Sequence, residues 1–304
     1  MMQFSKNILM VRPSYFGFNK ETSSTNFYQT KQTSYTKEEI SEKAMNEFDA
    51  FVFKLRKNGL NVLLVNDLLN GNTPDSIFPN NWVSFHSCGK YFLYPMFAPN
   101  RRRERRQDIL QLIQKNFGQK EQIDFSIYET KEKFLEGTGS MVLDRVNKVC
   151  YAAISSRTNA ELVFKFCKEL SYSPCVFHAY QLVNNKRELI YHTNVMMSIA
   201  DKYVIICLDC VESKTDKKQL LDLFEKTNKE VIEISINQKL NFAGNVLQVD
   251  GDKPFLAMSS TAFTSLSKHQ IKKIERYNSI VHSPLKTIEL IGGGSARCMM
   301  AEVF

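Results

Sequence analysis

"NVMMSIADKYVIICLD", residues 194–209, sets how the rest of the chain is parsed. Two runs of apolar, β-favouring residues flank a two-residue turn, Asp201 and Lys202, as in a tight hairpin. A helical pattern, "TDKKQLLDLFEK" at 215–226, comes next, and a third apolar run, "EVIEIS" at 230–235, closes the group. The order is strand, turn, strand, helix, strand, a ββαβ unit.

The unit recurs on both sides. Upstream, "GSMVLD" (139–144), turn "RVNK", "VCYAAIS" (149–155), helix "NAELVFKFCKEL" (159–170) and strand "CVFHAY" (175–180) form one copy. Before it, "NWVSFH" (81–86), turn "SCGK", "YFLYPM" (91–96), helix "RRERRQDILQLIQKNFG" (102–118) and strand "IDFSIYE" (123–129) form another. Ile109, Leu110, Leu112, Ile113 and Phe117 share one face of that helix, which ends at Gly118. Downstream lie "NVLQVD" (245–250), turn "GD", "PFLAMSS" (254–260), helix "SLSKHQIKKIERY" (265–277), with Ser267 and Gln270 as a capping box, and strand "KTIEL" (286–290). A fifth copy appears if the chain ends are joined: "CMMAEVF" (298–304), "NILMVRP" (7–13), a helix from Thr36 to Lys57 with Glu39 completing its capping box, and "LNVLLVN" (60–66). The simplest architecture is an α/β ring of five such units in a single domain, 1–304, with no exposed sheet edges.

Composition supports a globule. Of 304 residues, 43% are hydrophobic and 24% charged, which excludes disordered and fibrous classes. The N-terminal apolar run "ILMV" is too short for a signal peptide or a membrane span, so a cytoplasmic location is expected. Seven cysteines, an odd number scattered among strand and helix patterns, point to reduced thiols rather than a disulfide framework. A net charge of +8 could mean an anionic partner, but the excess is spread over single lysines. The one dense patch, "NRRRERR" from Asn100 to Arg106, reads as the solvated first turn of an amphipathic helix in preference to a nucleic-acid stripe.

The ring also says where chemistry belongs, because the segments preceding each unit's first strand fall at equivalent places around one axis. They are "FPNN" ending at Asn81, "EGTG" from Glu136, "YHTN" with His192, "NFAGN" ending at Asn245, and "GGGSARC" ending at Cys298. Glu136 and His192 lie 56 residues apart, as do Phe242 and Cys298. A carboxylate, an imidazole and a thiol are thus delivered to one centre, and together they are the parts of an activated nucleophile. The glycines Gly292 to Gly294 suit a backbone that approaches a ligand closely, although they lack the spacing of a dinucleotide site. His86, His178, His269 and His282 lie at strand ends or in polar helix and loop. Cys207 and Cys210, a lone CxxC, suit strand packing better than zinc.

"MVRPSYFGFN", "FPNNWVSFH", "FLEGTGSMVLDR", "YHTNVMMSIAD" and "IGGGSARCMMAE" together resemble the guanidino-group-modifying enzymes of the pentein superfamily, which include arginine deiminases, dimethylarginine dimethylaminohydrolases and amidinotransferases. Within it the chain looks most like the citrulline utilisation hydrolases, or citrulline ureidases. The resemblance implies a pentein five-bladed α/β-propeller without metal or organic cofactor. A small-molecule substrate is expected, with neither nucleic acid nor membrane as partner, and the sequence leaves a homo-oligomer open. It also implies that Cys298 is the nucleophile, His192 the general acid/base and Glu136 the acidic partner.

The deiminases carry aspartates where this sequence has Asn81 and Asn194, and they tend to read "EGGD" for "EGTG". Paired carboxylates suit a cationic guanidinium. Asparagine offers a donor, an acceptor and no charge, which suits the neutral ureido group of citrulline. Hydrolysis of citrulline to ornithine, ammonia and carbon dioxide is therefore the expected activity. Arginine deimination or amidino transfer is the alternative, and a non-catalytic amino-acid-binding or interaction protein is a third reading. Gly294 is expected to offer backbone N–H groups to the substrate, with Arg12 and Arg297 as candidate carboxylate anchors.

Overall fold

The computed structural model describes residues 2–31, 33–69 and 72–304. The chain begins with β1 (Asn7–Arg12), a long irregular segment, α1 (Lys37–Lys57) and β2 (Asn61–Asn66). Then come β3 (Val83–Phe85), β4 (Lys90–Leu93), α2 (Gln107–Phe117) and β5 (Glu121–Asp124). The one-turn α3 (Gly137–Ser140) precedes β6 (Val142–Asp144), β7 (Val149–Ala153), α4 (Ala160–Leu170) and β8 (Ser173–Phe177). After a hairpin, β9 (Tyr180–Val183) and β10 (Lys186–Leu189), come β11 (Met197–Ile199), β12 (Tyr203–Ile206), α5 (Lys214–Lys226) and β13 (Glu230–Glu233). The last stretch holds α6 (Ile236–Leu240), β14 (Leu247–Asp250), β15 (Pro254–Ser259), α7 (Ser260–Ser265), α8 (Lys268–Glu275), β16 (Ser279–Ser283) and β17 (Ala301–Val303).

These strands make five three-stranded sheets of one topology: β3-β4-β5, β6-β7-β8, β11-β12-β13, β14-β15-β16 and β17-β1-β2. In each, the first pair is antiparallel and the second parallel. The difference follows from the connection: tight turns can join antiparallel strands, whereas parallel neighbours need a crossover, here helical in every unit. Both ends of the chain share the last sheet, with Ile8 opposite Glu302. First strands meet across units, β17 against β3 and β11 against both β6 and β14.

Both expected capping boxes form, Thr36 with Glu39 and Ser267 with Gln270. Four expectations need correction. "KTIEL" is not a strand; β16 is "SIVHS", and residues Ile288–Gly292 wind as a π-helical turn. Pro284 stops β16, and the buried Leu285, Ile288 and Ile291 recur every third residue, a helical rather than a strand period. "IDFSIYE" is strand only to Asp124, whose carboxylate accepts the Ser126 N–H at 2.8 Å and turns the chain. Strand β8 gives way to the unexpected β9–β10 hairpin, whose turn is Asn184 and Asn185, both at positive φ.

The arginine patch is the fourth. Helix α2 begins only at Gln107, and Pro99–Glu104 form a separate 3-10 turn. Arg101 is 2% exposed there, so it is not the solvated residue that local composition suggested.

Four apolar clusters fill the space between sheets and helices. Ile109, Leu110 and Ile113 of α2 are buried, each worth about 1.5–3 kcal/mol relative to exposure. Among the described residues, no helix is long and apolar enough to cross a membrane.

Candidate active site

The short α3 packs against two 3-10 turns, Pro79–Asn81 and Thr193–Val195, and so joins three of the segments that precede first strands. Glu136 stands at its start. The Glu136 Oε2 lies 2.7 Å from His192 Nε2, while Oε1 accepts the Phe97 N–H at 3.0 Å. Arg157 Nη1 lies 3.4 Å from Oε2. Glu136 is fully buried. Burial works to raise its pKa, but the Arg157 guanidinium and the His192 hydrogen bond prevail and hold the carboxyl well below the usual range. His192 goes the other way from its ordinary value than the nearby carboxylate alone would take it: burial outweighs the pull of Glu136 and pushes the imidazole down to about 4.

Gly139 makes room for this pair. A Cβ there would stand 2.4 Å from Asn81 Nδ2 and 2.9 Å from His192 Nδ1, so any side chain would displace both.

Cys298 is 4% exposed, three residues before β17. Its Sγ accepts the side-chain N–H groups of Asn245 at 3.2 Å and Asn194 at 3.5 Å. The preceding glycines line the same cavity, yet protein packing already accounts for two of them. A Cβ on Gly292 would approach the rings of Phe16 and Phe78 to about 3 Å, one on Gly294 would stand 2.8 Å from the Phe78 ring, and Gly293 sits at φ 65° against Asn26.

Asp75, Asn81, Arg101, Arg157, His192 and Cys298 surround this cavity, with Asn26 and Tyr191 over the glycines. It measures about 20 Å³, room for about one water. Arg101 donates to Asn81 Oδ1 at 2.7 Å and grips Glu104 with two bonds of 2.9 Å. Burial lifts Glu104 to about 7 despite that guanidinium. Asn81 Nδ2, Asp75 Oδ1, Asn194 Oδ1 and Asn245 Oδ1 are buried without a protein partner.

A polar cover lies over the centre. Within residues 19–29, Thr22 and Thr25 bind Arg157, Asn19 donates to Asp75 at 2.7 Å, and Asn26 donates to the Gly292 carbonyl at 3.2 Å.

Of the residues expected from sequence, Cys298, His192, Asn81 and Gly294 therefore share one cavity, with Glu136 behind His192 and Asn194 on the sulfur. Arg12 and Arg297 are not brought there. Arg12 forms two 2.7 Å bonds with Asp49 at the surface. Arg297 turns to the Met300 carbonyl and Glu302 and lines a separate small cavity. Sequence reasoning missed Asp75, Arg101, Arg157 and the contact of Asn245. For Asn245 a signal existed, since it stands two residues before β14 as Asn81 does before β3. Cys207 and Cys210 lie Sγ to Sγ at 3.4 Å and do not line the cavity.

Solved structures share the fold. ArgZ, an arginine dihydrolase from the ornithine-ammonia cycle in cyanobacteria, superposes with a TM-score of 0.72 at 16% identity over 97% of this chain. The chain spans only 40% of that full-length protein. It spans 98% of the ArgZ N-terminal domain solved with substrate, at a TM-score of 0.74, 16% identity and 97% of this chain. A dimethylarginine dimethylaminohydrolase, captured as an adduct with S-methyl-L-thiocitrulline, gives 0.64 at 16% identity, with 98% of this chain and 99% of that one covered. No curated protein sequence matches the chain. The family described as "N,N dimethylarginine dimethylhydrolase, eukaryotic" does match, over residues 12–304. With that match spanning nearly the whole sequence, the chain belongs to the dimethylarginine dimethylhydrolase family of pentein-type enzymes.

Proposed function

We propose that the protein hydrolyses the ureido group of citrulline, in a single domain whose five units close as a propeller around Cys298. One observation carries the reading: the groups touching the Cys298 sulfur are the neutral amides of Asn194 and Asn245, and the Asn81 amide faces the same cavity. An uncharged ureido group, with its own C=O and NH2, matches amides that both donate and accept. A guanidinium at the same place would be better held by carboxylates.

The proposed reaction runs in two stages. His192 takes the Cys298 proton, Sγ attacks the ureido carbon, the imidazolium passes that proton to the departing ammonia, and a thiocarbamate links the sulfur to the δ-nitrogen side of the substrate. His192 then takes a proton from water, which attacks the thiocarbamate and frees the thiol. The carbamate so formed loses carbon dioxide and leaves ornithine, so one water is consumed per citrulline. Glu136 keeps the imidazole in register throughout. Arg101 or Arg157 would meet the substrate α-carboxylate and Asp75 Oδ1 the α-ammonium, roles that replace those expected of Arg12 and Arg297.

The second reading is hydrolysis of a guanidino group, favoured by the family match and by the buried, unpartnered Asp75 oxygen, which could take a cation. Ornithine and ammonia release from citrulline, with arginine and dimethylarginine run beside it, separates the two. Cys298→Ala should lose turnover on every substrate while keeping the wild-type circular dichroism. Release of ornithine by that variant would rule out the cysteine mechanism, and turnover of arginine alone would rule out the ureido assignment.

A further inference from the structure

We propose that Asn245 is a catalytic residue, whose side-chain amide holds the Cys298 sulfur in its anionic, attacking form. The proposal deepens the reading above and rests on Cys298 being the nucleophile.

Geometry comes first. Asn245 Nδ2 gives the shorter of the two N–H contacts to the sulfur, 3.2 Å against 3.5 Å from Asn194. The residue is rigidly placed. Its backbone N–H reaches the Phe242 carbonyl at 2.8 Å, and its carbonyl accepts the Arg297 N–H at 3.4 Å, next to the nucleophile itself. Asn245 Nδ2 also donates to the Asn194 carbonyl at 3.0 Å, so the two amides beside the sulfur are held in one arrangement. Gly244 locks the segment further, since a Cβ there would fall 2.8 Å from the Met196 backbone.

Electrostatics comes second. A thiolate nucleophile is usually stabilised by an adjacent cation or a helix N-terminus. Neither Arg101 nor Arg157 bonds to the sulfur: their guanidinium groups go to Asn81 and Glu104, and to Glu136, Thr22 and Thr25. The neighbouring Arg297 interacts electrostatically with Cys298 but turns its guanidinium to the Met300 carbonyl and Glu302, so the Asn245 and Asn194 amides are the side-chain donors to the sulfur. Hydrogen bonds to a charged partner are stronger than neutral ones, so such donors favour the anion.

The third observation concerns the other end of the same side chain. Asn245 is fully buried, yet its Oδ1 has no partner, an arrangement that costs stability unless function uses it. A substrate NH2 or the hydrolytic water could donate to that oxygen while Nδ2 stays on the sulfur.

A purely structural Asn245 would tie two units together through the Asn194 carbonyl and would leave thiol reactivity alone. The deciding experiment follows iodoacetamide labelling of the Cys298 peptide against pH, by mass spectrometry, in the wild type, Asn245→Ala and Asn245→Ser. It needs no substrate, so it reports even if the enzyme proves silent on citrulline. Expected is an upward shift of the labelling midpoint by about one pH unit in Asn245→Ala, with roughly tenfold slower labelling at neutral pH. Asn245→Ser, which keeps an O–H donor, should recover part of that loss, and kcat should fall with KM little moved. An unmoved midpoint in either variant that retains the native circular dichroism overturns the proposal, whatever turnover does. Asn245→Ser, the milder change, decides alone if Asn245→Ala does not fold.

Discussion

In the proton-transfer role proposed for His192, burial and not the carboxylate sets its charge. Because the imidazole is held at about 4, it is neutral and able to accept a proton through most of the physiological range. The acid limb of kcat/KM should therefore fall near pH 4 instead of near about 6.5, the ordinary histidine value. A limb between pH 6 and 7 in a pH-rate profile would contradict this. Stability has the same sign: the unfolded chain takes up the His192 proton at higher pH than the folded one, so acidification from about 6.5 toward 4 favours unfolding. At Asn81 and Asn194 the prediction concerns charge. Asn81→Asp with Asn194→Asp should lower kcat/KM for citrulline by roughly 100-fold and raise turnover of arginine, measured in parallel product assays. Cys298, His192 and Glu136 were legible in the sequence because a repeated unit fixes which positions converge. Arg101 was not, because its partners Asn81 and Asp75 lie twenty or more positions upstream, and a local run of arginines gives no sign that one of them is buried.

Elements were read best where a turn or a cap announces them. The capping boxes of α1 and α8 formed as the sequence indicates, and Thr36→Ala or Ser267→Ala should each cost about 1 kcal/mol, read as a lower urea midpoint at unchanged m. An unshifted midpoint would mean the cap is replaced by solvent. Boundaries were read less well where two periods compete. "KTIEL" alternates well enough to pass for a strand, but its buried positions continue to Ile291 at a spacing of three, and only the packing against α1 and Phe16 reveals which period wins. The β9–β10 hairpin shows the converse: its Asn184–Asn185 turn is a visible signal, yet the five-unit pattern has no place for an extra pair of strands.

At the scale of the molecule, the sequence's five repeats correspond to five sheets of identical pairing, and the centre forms where their first strands begin. What the repeats leave unspecified is the irregular segment between β1 and α1. That segment covers the cavity through Asn19, Thr22, Thr25 and Asn26, and the remaining room is too small for an amino acid. The amino-acid substrate proposed above could enter only if this cover moved. Asn26→Ala, which removes its bond to the glycine carbonyls, should weaken closure and raise KM by several-fold with a smaller effect on kcat. Steady-state kinetics on the active substrate would show it, and an unchanged KM would mean that Asn26 does not fasten the cover.

The pairing of β17 with β1 has a consequence in time. β1 is synthesised before β2 to β17 and must wait, its edge open, until the strand behind Cys298 is made. Four units can organise before that, but the one bearing the thiol is assembled last and across the longest loop in the chain. Helical ellipticity should then recover ahead of Cys298 reactivity during refolding, and nascent chains would remain chemically inert toward metabolites until synthesis of the fifth sheet is complete.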